Sequence, residues 1–184
     1  MGSSESMIRE IFEKKNSPFY RFGTLFTLGK IPEEKFRLFL EYRFTGFVKE
    51  AGVLSEAILN ITGSHPYYTQ QLAFMVWELL SRQDYVTGIV EAAADEIITS
   101  HDNDFELLWN TLNRTDMMVL AGMSAGSLSP LTDEFSKLYG TGAASTVFSA
   151  LQRLVKKGMV IKEGSSYYID DPFFRKWIQY RRKV

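Results

Sequence analysis

The chain has 184 residues, 45% of them hydrophobic and 23% charged, with a formal net charge of −1 at pH 7, the composition of a folded globular protein and not of a disordered segment. It has no cysteine and only two histidines, His65 and His101, which excludes disulfides and cysteine-ligated zinc and leaves little for a histidine-based metal site. No apolar run reaches the length of a membrane span and no secretory pattern opens the sequence, so no membrane partner and a cytoplasmic location are expected.

The near-zero net charge conceals an asymmetry. Residues 1–112 hold 10 Lys+Arg against 16 Asp+Glu, whereas residues 113–184 hold 11 against 6. A sign change of this kind suggests two modules, 1–112 and 113–184. A basic second module permits nucleic-acid binding, and the same pattern suits two domains that dock on each other.

In chain order, Met1–Ser4 reads either as an expression scar or as the end of a strand. Residues 5–15 suit a short amphipathic helix stopped before Asn16-Ser17-Pro18, and Phe19, Tyr20 and Phe22, taken singly, read as core aromatics. Gly23 to Lys30 imitates a phosphate-binding loop, but five residues separate Gly23 from Gly29 and Ile31 stands where a Ser or Thr hydroxyl should reach magnesium, so it fails the pattern. Pro32, Glu33 and Glu34 then open a helix whose apolar face is Phe36, Phe39, Leu40 and Phe44. Gly46 and Gly52 bracket the link into a helix through Leu54, Ile58 and Ile61.

The most informative stretch follows, Asn60 to Leu72. Gly63 can end one helix in the left-handed conformation, Ser64 can cap the next, and Pro66 suits its first turn. Tyr68, Leu72, Met75, Val76 and Leu79 recur at helical spacing behind it. Such a corner, with free N–H groups at a positive helix end, can face an anion or a purine ring; equally, it can be an ordinary interhelical turn with His65 in solvent. Residues 87–100 continue as a helix, and no strand is expected before residue 100. Asp102-Asn103-Asp104 does not meet a calcium-loop pattern and is expected to cap a helix from Phe105 to Leu112, with Phe105, Leu108, Trp109 and Leu112 on one face.

From Asn113 the pattern changes. Thr115 is expected to cap a helix through Met118, Leu120 and Ala121; a short helix from about Leu131 to Leu138 follows, then a helix from Ala143 to Lys157 with an apolar stripe of Val147, Leu151, Leu154 and Val155. Met159 to Lys162 and Tyr167 to Ile169 flank a Glu-Gly-Ser-Ser turn as a hairpin. Three helices and a hairpin give the order of a winged helix, so the fold class expected is mainly α: a helical bundle followed by a winged-helix domain. If that module reads double-stranded DNA, Ser145, Thr146, Ser149 and Gln152 lie on the polar side of its third helix, with Arg153, Lys156 and Lys157 at the far end. The absence of an early Arg or Lys weakens that use, because phosphate neutralisation dominates DNA affinity. Asp170-Asp171-Pro172 opens a last helix that docks Phe173, Phe174, Trp177 and Ile178, and the tail Arg181-Arg182-Lys183 is expected to be solvated.

Four of these stretches, in order, resemble one family. Gly2-Ser3 resembles the end of its sensor strand, Pro18-Phe19-Tyr20 the element after it, Gly63-Ser64-His65-Pro66-Tyr67-Tyr68 the Gly-x-Pro corner of its helical lid, and Asp170-Asp171-Pro172-Phe173-Phe174-Arg175-Lys176-Trp177 the ending that trails its wing. The family is that of archaeal-type AAA and STAND-class P-loop ATPases. The resemblance implies a lid followed by a winged helix that packs within the protein, with Pro66 near the adenine, His65 a nucleotide sensor and Ser64 beside them. The partner would be the P-loop core, which this sequence lacks, and ATP with magnesium would belong to that full-length protein. Without the phosphate-cradling loop and the metal-binding acid, the chain by itself carries no catalytic residue, cofactor or metal site, because nothing positions phosphoryl transfer. The alternative is a free-standing winged-helix transcriptional regulator. Oligomeric state is not legible.

Overall fold

The computed structural model describes residues 12, 15–20, 31–82, 88–126 and 128–182. The chain divides into two compact units, residues 1–30 and 31–184. In the first, the Tyr20 N–H donates to the Ser17 carbonyl at 3.0 Å and the Phe12 and Phe19 rings lie 6.3 Å apart. Phe19 is half exposed and not a core residue. Most of the expected 5–15 helix, Met1–Ser4, Phe22 and the Gly23–Lys30 loop fall outside the described residues.

Among the described residues the second unit holds nine helices and one two-stranded sheet, as the mainly helical fold class requires. The bundle consists of α1 (Glu33–Phe44), α2 (Ala51–Thr62), α3 (Pro66–Ser81) and α4 (Ile89–Ser100). Phe36, Leu40 and Phe44 are buried on α1, Leu54, Ile58 and Leu59 on α2, Leu72, Val76 and Leu79 on α3, and Ala93, Ala94 and Ile97 on α4. Phe39 departs from expectation: it turns outward and is 57% exposed. A helix buries a stripe about 100° wide, and Phe36, Leu40 and Phe44 already fill it at spacings of four.

The winged-helix part consists of α5 (Asp102–Asn110), α6 (Arg114–Ala125), α7 (Asp133–Tyr139), α8 (Ala144–Lys156), β1 (Val160–Glu163), β2 (Ser166–Ile169) and α9 (Pro172–Arg181). The strands pair antiparallel, Val160 opposite Ile169 and Glu163 opposite Ser166, so Gly164 and Ser165 form a two-residue turn, with Gly164 at φ +60°. Gly122 is needed for packing: a Cβ there would lie 2.6 Å from Phe135 Cζ and 2.7 Å from Tyr139 Cδ2, so α7 can lay its rings directly on the α6 backbone.

Two expected caps and one apolar stripe shift. Asp102, Asn103 and Asp104 do not precede a helix but form the first turn of α5, where Asp102 and Asp104 suit the helix dipole. Asn113, not Thr115, caps α6, its Oδ1 accepting from the Asp116 N–H at 2.9 Å. On α8 the buried stripe is Val147, Ala150, Leu151 and Leu154, while Val155 is exposed. The expected boundary at 112/113 falls in the turn between α5 and α6, and side chains of α5 and α9 meet across it: Trp177 Nε1 donates to Asp102 Oδ1 at 2.7 Å.

Candidate functional site

The corner between α2 and α3 is built as the sequence suggests, with one residue displaced. Gly63 closes α2 at φ 58° and ψ 31°, its N–H donating to the Leu59 carbonyl. Ser64 then also takes a left-handed conformation, at φ 57°, and its N–H reaches the same carbonyl at 3.2 Å. His65, not Ser64, therefore occupies the N-cap of α3, with Pro66 in the first turn and no side chain capping the N–H groups. The Ser64 hydroxyl instead donates to Glu33 Oε2 at 3.3 Å. Inside the corner the Thr62 and Thr69 hydroxyls share a buried hydrogen bond of 2.7 Å, which pins α2 to α3.

A left-handed conformation costs a residue with a Cβ about 1–2 kcal/mol, partly offset by the extra unfolded-state entropy of glycine. Ser64→Gly is therefore expected to stabilise the chain by about 0.5–1 kcal/mol. A urea midpoint that falls in the variant would contradict this.

His65 is half-buried. Its Nδ1 is enclosed without a hydrogen-bond partner, and its ring lies 4.7 Å from that of Tyr68. Tyr68 in turn meets Phe173 of α9 edge-on at 6.0 Å. Burial, with Asp171 and Asp170 nearby, pushes the Tyr68 phenol well above its ordinary value. Pro66 is exposed and lines an open groove of about 1000 Å³ between α1 and α3. Of the three corner residues named from the sequence, Pro66 alone presents a free flat surface to a planar ring. Ser64 is engaged by Glu33, and His65 packs inward on Tyr68.

Asp171 holds the other side of this junction. Its Oδ1 accepts from the Phe173 and Phe174 N–H groups at 2.8 and 3.0 Å, capping α9. Burial raises its pKa above the ordinary carboxylate value, the two N–H donors opposing this less strongly. The folded chain thus keeps this proton to higher pH than the unfolded chain. Stability from this group is fully present below the ordinary value and is lost as pH rises through the folded one. Asp171→Asn preserves the cap, so the variant should melt above the parent chain at neutral pH, with the gap closing in acid. Melting curves across about pH 4–7.5 that show a constant gap or a reversed one would refute this.

On α8, Ser145, Thr146, Ser149 and Gln152 are exposed, as expected for its polar side. Ser149 Oγ donates back to the Ser145 carbonyl at 2.9 Å. The basic residues at the far end are differently disposed. Arg153 Nη2 reaches Asp116 Oδ1 at 2.6 Å, with Nε 3.2 Å from the same oxygen, and Asp116 is 1% exposed. Lys157 Nζ donates to the Thr111 carbonyl at 3.2 Å. Lys156 is exposed. Sequence reasoning missed Asp116 because a lone Asp in a first turn reads as a dipole partner; its helical spacing with buried Val119, Leu120 and Met123 was the available signal.

Of the C-terminal tail expected to be solvated, Arg181 is exposed and Arg182 half-buried, and both also pair with α5. Arg181 Nη2 pairs with Asp102 Oδ1 at 3.0 Å. Arg182 pairs with Glu106 and lies over the Trp177 and Trp109 rings at 4.9 and 5.6 Å. Lys183 is outside the described residues. Among those described, no cluster of side chains could hold a metal ion and no helix is long and apolar enough to cross a membrane.

No curated protein and no solved structure matches the chain. Residues 103–180 match the model of a family described as "Probable winged helix domain". With four helices, a hairpin and a closing helix in that stretch, a winged-helix domain occupies this part of the chain, and its match begins inside α5, whose Phe105 and Trp109 pack against Trp177.

Proposed function

We propose that the chain is the helical lid and winged-helix region of an archaeal-type AAA or STAND-class P-loop ATPase, working in the cytoplasm. It covers nucleotide bound to a P-loop core and relays the nucleotide state to the winged helix. The observation that carries this reading is the ring column His65–Tyr68–Phe173, with spacings of 4.7 and 6.0 Å. It joins the corner that resembles the adenine-facing element directly to the closing helix of the winged domain. Pro66 takes the base, His65 transmits a displacement through Tyr68, and the α9 cap at Asp171 receives it. ATP and magnesium belong to the core, and the region is not catalytic alone.

The test is the reading frame ahead of codon 1, over about one further domain, roughly 150–200 codons. A continuous frame with Gly-x4-Gly-Lys-Ser/Thr and an apolar strand ending in Asp is the expected result. A stop codon or an unrelated gene there overturns the reading. Tight magnesium-dependent ATP binding by the chain alone would also count against it.

A second reading, a winged-helix regulator that binds duplex DNA, is favoured by the exposed polar face of α8 and by the family match over 103–180. Arg153 and Lys157 already have partners within the chain, which leaves few cations on α8 for phosphates. Each phosphate contact adds about 0.9 to the slope of log affinity against log salt. A steep slope in a duplex-DNA titration, reduced by Lys156→Ala, would support this reading over the first.

A further inference from the structure

The outward turn of Phe39 is one part of a larger feature. Phe39 and Tyr42 on α1, Phe74 and Trp77 on α3, and Phe47 in the α1–α2 link stand around the groove, over a floor of buried Phe36, Leu40 and Phe44. They are exposed by 57%, 78%, 57%, 40% and 50% in that order. Phe74 and Trp77 lie 5.9 Å apart and form one wall. Among the described residues, Arg43 is the only ionisable lining residue besides Tyr42, and it is exposed.

The size of this face decides what covers it. Aromatic side chains present about 150–250 Å² each, so these five rings with neighbouring Ile31 leave roughly 700 Å² open to water. That exceeds the roughly 300–600 Å² of the largest apolar patch on an ordinary monomer. It approaches the roughly 800 Å² that each partner contributes to a stable protein–protein interface. A small ligand in the groove would leave Phe39 and Tyr42 wet.

The geometry points to a second copy of this chain as the occupant, docked across a twofold axis. An isologous interface needs a surface that complements itself. Here one groove is flanked by two ridges, Phe39 and Tyr42 on α1 and Phe74 and Trp77 on α3, so the twofold sets a ridge of each copy into the groove of the other. Among the described lining residues the face carries one charge, the exposed Arg43, so two copies of a chain with net charge −1 meet there with little electrostatic opposition. Phe74 and Trp77 stand about 12–16 Å along α3 from Pro66, and the inference does not depend on the nucleotide reading.

Sedimentation equilibrium of the chain from about 1 to 100 µM tests it, the range in which an interface of standard size associates. The expected result is a monomer–dimer equilibrium weakened at least tenfold in both Phe39→Glu and Phe74→Glu, whose far-UV circular dichroism and melting temperature stay near those of the parent because both residues are more than half exposed. A monomer throughout the range overturns the inference and assigns the face to a different polypeptide. A dimer unaffected by either substitution also overturns it, by placing the contact elsewhere.

Discussion

Arg153→Met is expected to destabilise the chain by about 3 kcal/mol, and by more than Asp116→Asn does. The two halves of the pair differ in exposure: the Asp116 side chain is 1% exposed and that of Arg153 is 44% exposed. Losing the arginine strands a buried carboxylate, which costs about 3–5 kcal/mol, toward the low end here because Asn113 Nδ2 still donates to Asp116 Oδ2 at 3.0 Å. Losing the acid instead releases an arginine that water can solvate, at a cost of about 1–2 kcal/mol. The double variant Asp116→Leu with Arg153→Met should recover most of the loss, since an apolar pair of similar volume commonly matches a buried ion pair. Urea unfolding measures all three, and equal losses from the two single variants would refute this account. The result also bears on DNA binding, because an Arg153 variant that binds DNA poorly will have lost stability as well as a cation.

Trp177→Ala should lower stability by about 3–5 kcal/mol, the range for removing a fully buried large aromatic side chain. For a chain of this size that is about 8–15 °C in melting temperature. Trp177 is fully buried, stacks on Phe174 at 5.7 Å, and meets Phe105 and Trp109 at 6.0 and 6.1 Å. Its indole N–H also donates to Asp102 Oδ1, the same oxygen that accepts from Arg181. These contacts keep Asp102 below the ordinary carboxylate range, the Trp177 hydrogen bond contributing most. This part of the stability is present above the ordinary value and lost as pH falls through the folded one. Trp177→Phe keeps most of the apolar area but removes the donor and part of the ring, so a loss smaller than that of Trp177→Ala is expected. A Trp177→Ala loss no larger than the Phe loss would mean that the rings around it do not pack as described.

The helices were legible because their apolar residues repeat at three and four: Leu72, Val76 and Leu79 on α3, and Phe173, Phe174, Trp177 and Ile178 on α9, are buried as their spacing requires. The hairpin was legible from Gly164 between two β-branched and aromatic runs. Caps were read less well, because a cap is chosen by geometry among several eligible neighbours. Ser64 has the better capping chemistry, but its left-handed backbone moves the cap to His65. What one sequence conceals is which charges have partners far along the chain. Arg153 and Asp116 are 37 residues apart, and Arg181 and Asp102 are 79 apart; one arginine of the basic cluster and one of the tail latch helices together while staying partly exposed. The corner at Gly63 and Pro66 was readable as a turn, whereas its stacking through Tyr68 onto Phe173 depends on tertiary packing that local spacing does not encode.

The Trp177–Asp102 hydrogen bond spans 75 residues of chain, and that span sets a timetable for biosynthesis. At about 5–20 residues per second, roughly 4–15 s separate the addition of α5 from that of α9. During that interval Phe105 and Trp109 have neither Trp177 nor Phe174 to cover them, and the nascent chain carries an aromatic surface that α9 later closes. Ribosomes that stop between α5 and α9 would therefore release a product prone to aggregation and proteolysis, so synthesis of α9 is the step that seals the aromatic core of this domain.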